Sequence, residues 1–282
     1  MRVPELPEVE TIVQGLRPKL IGRQVIAVSV INDKVLHNVE LLVFQNELVE
    51  RTFCNVSRRG KYLMFGFTPG GCMVVHLRMT GQMVVCKADR AHEKHLSFFF
   101  DLSDGNQLRL IDQRKFGTVY WIPPGCRAKD AQTGGFTTLG CEPLGKSFSL
   151  EGFKELLAGR STRIKPFLLD QRHIAGLGNI YTDEILHRAR IHPERAVCDL
   201  TEQDMQVLYQ SIRQVLKEGI YYRGTSISDY VDAVGRQGGY QEHLQVYGRN
   251  QKPCPTCGTT ICRIKVGGRG TYFCPQCQPE KG

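Results

Sequence analysis

The sequence predicts an α+β protein in two domains, and three observations predict it. Apolar residues near the start recur at helical spacing. They are followed by a half rich in β-forming runs and then by a helical half. Between the halves, PPGCRAKDAQTGG and LGCEPLGK lack periodicity, so a boundary is expected between Pro123 and about Lys146. Near the end stand two Cys-x-x-Cys pairs with a plausible hairpin between them. A chain of 282 residues is long enough for each half to bury its own core.

From Pro7 to Leu20 the residues Val9, Ile12, Val13, Leu16 and Leu20 form a helical stripe. Pro7 suits a first turn, and Glu8 and Glu10 complement the helix dipole there. After Gly22 the runs RQVIAVSVI, KYLMFGF, CMVVHLRM, HLSFFFDL, QLRLI and TVYWI are β-branched and aromatic, with Gly, Pro, Asn and Asp between them. Asp104-Gly105 marks a hairpin. In the second half, Phe153, Leu156 and Leu157 fit a short helix. The run IKPFLLDQRHIAGLGNIYTDEILHRARIHP places two helical segments about Gly176 and Gly178, a helix–turn–helix with a tight glycine turn. The next helix opens with a capping box, Thr201 to Asp204. Leu200 and Met205 stand where a hydrophobic staple would. After Gly224 patterning fades until Gln245, and a loop this long is either functional or disordered.

No apolar run approaches the roughly 18 residues of a membrane span. Glutamates occupy the place where a signal peptide needs an apolar core, so a cytoplasmic protein is expected. The net charge of +9 favours a polyanionic partner, nucleic acid before membrane. Eleven cysteines without an export signal argue against a disulfide framework. Seven of them (Cys54, Cys72, Cys86, Cys126, Cys141, Cys198 and Cys262) are scattered and read as small hydrophobes. The other four, Cys254, Cys257, Cys274 and Cys277, form C-x2-C, sixteen residues, C-x2-C. That spacing brings four thiolates round one structural Zn2+, with no open position for chemistry. The intervening ICRIKVGGRGTYF alternates and turns at Gly267-Gly268. Its Arg263, Lys265 and Arg269 favour phosphate contact, or form a solvated face.

Several separated motifs then carry a resemblance that covers nearly the whole chain. They are PELPEVET at 4–11, RRGKYL at 58–63, HLRMTG at 76–81, DQRKFG at 112–117, KPFLLDQ…AGLGNIYTDE at 165–184, the Cys pairs, and GRGTYFCPQCQ at 268–278. In order and spacing the chain resembles the bacterial formamidopyrimidine-DNA glycosylases. The resemblance implies an N-terminal β-sandwich preceded by a helix, then a helical domain with a helix–two-turn–helix, then a β-hairpin zinc ribbon. The expected boundaries are 1–135, 136–245 and 246–282.

It also implies an activity: excision of 8-oxoguanine and ring-opened purines from double-stranded DNA by an N-terminal proline Schiff base, with β,δ-elimination. Pro4 matches the nucleophile and Glu5 the general acid/base that opens the sugar ring. Lys61 matches a lysine at the phosphate and reacting centre. Lys165, His76, Asn179 and Arg269 match phosphate-binding positions. Met79, Arg114 and Phe116 match the side chains that fill the hole left by an extruded base, two apolar wedges and a donor fork for the orphaned cytosine. Taken alone, Met79 and Phe116 would read as core packing. Tyr247 matches a tyrosine near the lesion-proximal backbone, and the stretch 224–241 a lesion-capping loop. A monomer is expected, since single lesions offer no two-fold half-sites.

The start departs from the family pattern, in which Met-Pro is trimmed to free the proline amine. Here Met1-Arg2-Val3 precede Pro4. The expectation is that Val3 stands for a GUG start codon and that the mature chain begins at Pro4. With the three residues retained, the Pro4 nitrogen is a non-nucleophilic tertiary amide, and a damage-binding protein without catalysis results. The sister glycosylases for oxidised pyrimidines are the near alternative. They tend to begin PEGPE and lack the full filling set, so Leu6 and the Met79/Arg114/Phe116 trio favour the purine enzyme.

Overall fold

A computed structural model describes residues 3–226 and 230–280. The chain forms two compact units. Met1–Thr138 group with Tyr222–Gly239, and Leu139–Tyr221 group with Tyr240–Gly282.

The first unit opens with α1 (Leu6–Leu20), whose N-terminus holds Pro7 in the first turn as expected. There follow β1 (Val25–Val30), α2 (Leu41–Leu48), β2 (Thr52–Arg59), β3 (Tyr62–Thr68), β4 (Cys72–His76), β5 (Gly81–Lys87), β6 (Leu96–Leu102), β7 (Asn106–Asp112) and β8 (Thr118–Ile122). They make two four-stranded sheets, β1-β6-β7-β5 and β2-β3-β4-β8, with every pairing antiparallel. One core joins α1 (Ile12, Val13, Leu16) to Phe53 and Phe65 of one sheet and Phe98 and Phe100 of the other. Each such fully buried side chain contributes about 1.5–3 kcal/mol of transfer free energy.

Three elements escape the sequence pattern. α2 buries only Phe44 and Leu48, leaving Leu42 and Val43 71% and 50% exposed, so it shows no clear stripe. β2 is polar, and a bulge between Phe53 and Asn55 breaks its alternation. The expected single run CMVVHLRM is two pieces of structure. β4 ends at His76, Arg78 takes a left-handed φ of 54°, and the Gly81 amide donates to the Leu77 carbonyl at 3.0 Å before β5 begins. A Cβ on Gly81 would stand 2.4 Å from that carbonyl oxygen, so only glycine closes this turn.

The long polar stretch after Gly224 is anchored in the first unit. Tyr230 and Ala233 join its core, and the Val85 amide donates to the Ala233 carbonyl at 3.3 Å. The Asp232 carboxylate accepts the Val234 and Arg236 amides at 3.0 and 2.8 Å, making a side-chain-held turn. Ile227, Ser228 and Asp229 of the expected capping loop lie outside the described residues.

The second unit contains α3 (Leu150–Leu157), α4 (Ile164–Leu169), α5 (Asn179–Ala189), α6 (Glu202–Tyr221) and the hairpin β9 (Cys262–Val266)–β10 (Arg269–Phe273). The two turns between α4 and α5 are clamped by one side chain. Gln171 donates through Nε2 to the Leu169 and Leu177 carbonyls at 2.9 and 2.8 Å, and its Oε1 accepts the Gly176 amide at 2.9 Å. Gly176 has φ 95°, which requires glycine. Gly178 is the N-cap of α5 in extended backbone. The capping box of α6 is present, with reciprocal Thr201–Asp204 bonds of 3.0 and 3.1 Å. Among the described residues no helix is long and apolar enough to cross a membrane.

Candidate active site and nucleic-acid interface

Within the first unit, Pro4 and Glu5 are buried ahead of α1, with Glu5 4% exposed. Glu5 is the helix N-cap. Its carboxylate accepts the Glu8 amide, while its own amide donates to Glu8 Oε2 at 2.9 Å. The box ties Glu5 to the first turn once through its side chain and once through its backbone amide. The other Glu8 oxygen, Oε1, accepts the Thr225 amide at 2.7 Å. Glu8 therefore ties the start of α1 to the stretch expected to cap a lesion. Gly224 permits the approach: it has φ 78°, and a Cβ there would stand 2.9 Å from the Glu8 side chain. In the sequence Glu8 reads only as a dipole partner, because the residue it meets is 217 positions away.

Lys61 follows Gly60 (φ 54°) in the β2–β3 turn and is half-buried. Its neighbour Tyr62 pairs with His76 across β3 and β4, the two rings meeting edge to face at 4.5 Å. Burial, with the charges of Arg78 and Lys61 beside it, pushes the His76 imidazole down to about 3. Its Nδ1 accepts the Arg78 amide at 3.0 Å. The neutral ring therefore carries its proton on Nε2 and can donate it.

The three residues expected to fill a base-stack hole converge. The Arg114 guanidinium lies 4.9 Å from the Phe116 ring centre, and its Nη1 is 3.6 Å from Met79 Sδ. Phe116 is 53% exposed, so it is not a core side chain. Lys115, with φ 57°, turns the backbone between Arg114 and Phe116, and the two side chains stack.

Within the second unit, Lys165 is fully buried. Its Nζ donates to Asp183 Oδ1 at 2.6 Å, Thr271 Oγ1 at 2.8 Å and the Gly270 carbonyl at 3.3 Å. Asp183 Oδ2 accepts the Tyr272 amide at 2.9 Å. Burial pushes the Asp183 carboxyl up to about 7, against the opposing pull of Lys165. Asn179, the first residue of α5, donates to the same Gly270 carbonyl at 2.9 Å. Arg269 begins β10 and is exposed. Lys165 and Asn179 thus both grip the hairpin that displays Arg269. Glu184, its carboxyl raised by burial, accepts the Gln245, Val246 and Tyr247 amides at 2.8, 3.0 and 2.8 Å. This sets Tyr247, buried and edge-on to Tyr272 at 5.1 Å. Asp183 and Glu184 lie in the AGLGNIYTDE motif, but their roles were not legible there, because their burial is a property of the folded helix.

The Sγ atoms of Cys254, Cys257, Cys274 and Cys277 all lie within 4.8 Å of one another. Tetrahedral zinc with thiolate bonds near 2.3 Å would set them about 3.8 Å apart, so the donor set fits the metal. Cys262 stands outside the cluster. His187 Nε2 lies 3.5 Å from Cys254 Sγ, to which it can donate a supporting hydrogen bond.

A β-sandwich opened by a buried Pro-Glu pair, with a helix–two-turn–helix and a four-cysteine hairpin, defines the helix–two-turn–helix class of zinc-ribbon proteins. Three family models match in order: the formamidopyrimidine-DNA glycosylase N-terminal domain over residues 3–119, the H2TH domain of the same glycosylase over 139–231, and the zinc finger found in FPG and IleRS over 251–279. The chain is 47% identical over 281 residues to the formamidopyrimidine-DNA glycosylase of Pelotomaculum thermopropionicum, covering 99% of this chain and 100% of the relative. Two solved structures of Lactococcus lactis Fpg match with TM-score 0.90, 37% identity, and coverage of 98% of this chain and 100% of theirs. One is a point mutant in complex with a Fapy-dG containing DNA, and the other is a complex with an abasic site containing DNA. The chain belongs to the formamidopyrimidine-DNA glycosylase family.

Proposed function

We propose that this chain is a bifunctional DNA glycosylase and AP lyase that excises oxidised and ring-opened purines from double-stranded DNA. The observation that carries the reading beyond family membership is the convergence of Met79, Arg114 and Phe116 at an exposed loop pair of the unit that holds Pro4 and Glu5. Two apolar groups with a planar donor fork suit the space left by an extruded base opposite cytosine.

In the reaction, the Pro4 nitrogen attacks the sugar C1′ as the bond to the base breaks. Glu5, held by the capping box, takes the proton that the Pro4 nitrogen sheds on attack and passes it to the ring oxygen, whose bond to C1′ breaks as the Schiff base forms. Elimination then breaks the 3′ and 5′ carbon–oxygen bonds, releasing the strand ends as phosphates. The attack requires a free secondary amine, so the reacting species must begin at Pro4. Met1 and Arg2 lie outside the described residues. Lys61 and His76, with Asn179 and Arg269, are assigned to phosphates, His76 as a neutral donor. The four cysteines hold one structural Zn2+, which shapes the Arg269 hairpin.

Borohydride trapping on an 8-oxoguanine:cytosine duplex, with mass analysis of the N-terminus, tests this. A covalent adduct through Pro4 is expected. Tight binding without an adduct leaves a damage-binding protein. Preferential cleavage of a thymine-glycol competitor would move the chain to the pyrimidine class.

A further inference from the structure

The loops that carry the trio arise from separate parts of the first unit and meet at one carboxylate. Asp112, fully buried at the end of β7, pairs with Gly81 at the start of β5. Its Oδ1 accepts the Thr80 hydroxyl at 2.5 Å and the Arg114 amide at 3.2 Å, and its Oδ2 accepts the Gly117 amide at 2.7 Å. Thr80 Oγ1 in turn accepts the Arg114 amide at 3.0 Å. Thr80 adjoins Met79, and the span from Asp112 to Gly117 encloses Arg114 and Phe116. Both loops contain a non-glycine residue in the left-handed region, Arg78 at φ 54° and Lys115 at φ 57°. Such backbone costs of order 1 kcal/mol and persists only where the surroundings hold it. Asp112 forms no ion pair among the described residues. A buried charge held only by neutral donors is a poor source of stability but a stringent device for geometry.

We propose that Asp112, acting with Thr80, is a positioning residue that joins the two loops into one preset wedge and thereby sets discrimination of the base opposite the lesion. The proposal rests on the glycosylase reading above. The carboxylate is needed because it offers acceptors on both sides. An amide at this position must turn its NH2 toward either the Gly117 amide or the Thr80–Arg114 side, and one side of the clasp opens. Arg114 then keeps its charge but loses the backbone placement that aims its fork at cytosine.

The test uses the full chain and equilibrium binding to duplexes with a tetrahydrofuran abasic analogue opposite cytosine or adenine. This readout needs no catalysis, so it reports on the wedge even if the chain fails to excise bases. Wild type is expected to prefer cytosine. Asp112→Asn and Thr80→Val are expected to cut that preference about tenfold, the size of one lost bidentate base contact, while Thr80→Ser keeps it. In excision assays the same two variants should raise KM for the cytosine-opposed lesion and leave kcat within about twofold. Equal cytosine and adenine binding by wild type, or an unchanged preference in both variants, overturns the proposal. So does a loss in Thr80→Ser equal to that in Thr80→Val. Should Asp112→Asn not fold, the Thr80 pair decides alone. Failure of wild type to release any base, with the binding pattern intact, overturns the glycosylase reading instead.

Discussion

Glu8 and Thr225 are joined by a 2.7 Å hydrogen bond from a backbone amide to a buried carboxylate oxygen, and the second oxygen of that carboxylate holds the Glu5 amide. One side chain thus fixes the base of the Pro4–Glu5 pair and the entry to the segment that returns to the first unit. Removing it takes the Glu8 acceptor from two buried amides, at about 1–3 kcal/mol each. Glu8→Ala should therefore lower the melting temperature and speed amide hydrogen exchange at Thr225. It should also slow base excision more than cleavage at a preformed abasic site, where no base needs covering. Equal slowing on both substrates would count against a capping role for this segment.

Phe116 is 53% exposed although its residue type reads as core. Phe116→Ala should change stability by less than about 0.5 kcal/mol, as at other open surface sites. Against that, kcat/KM on a lesion duplex should fall at least about tenfold if the ring is inserted in the base stack. Thermal melting and steady-state kinetics on the same preparation check both halves. A large stability loss would return Phe116 to a packing role.

Lys165 matches a phosphate-binding position, yet its amine is enclosed by Asp183, Thr271 and Gly270. Lys165→Met strands the Asp183 carboxylate and should cost about 3–5 kcal/mol. The double change Lys165→Met/Asp183→Leu should recover most of that loss. The salt dependence of DNA binding by the double variant separates the two roles. An unchanged slope means that Lys165 only braces the Arg269 hairpin, whereas a slope smaller by about one means that it meets a phosphate.

His76 titrates in the folded state near 3, below its ordinary 6.5. A depressed histidine stabilises the fold fully above pH 6.5 and loses that contribution as pH falls from 6.5 toward 3, since the unfolded chain takes the proton first. Its imidazole resonances should accordingly stay in the neutral form from about pH 8 to about pH 5. The stability difference between wild type and His76→Gln should shrink as pH is lowered through that window. A midpoint near 6.5 in the folded protein would show an open, hydrated ring and remove the neutral-donor role.

Local pattern alone determined a good deal of this protein. The stripe of Val9, Ile12, Val13 and Leu16, the Asp104-Gly105 hairpin and the Thr201–Asp204 capping box are each encoded within a few residues, and each forms as expected. The zinc ribbon is legible for the same reason, because metal-ligand chemistry is written in spacing. The motif residues could be named from order and type, but not what they touch. Only the tertiary structure brought Arg114 onto Phe116 and Met79, enclosed Lys165 with Asp183, and returned Tyr230 and Ala233 to the first core. Only it gave Glu8 and Asp112 their partners, 217 and 32 residues away. Periodicity reports which face of an element is apolar. The partner of a buried polar atom is chosen by long-range packing, since an unpaired carboxylate in a core is too costly to keep, and no local window of sequence contains that choice.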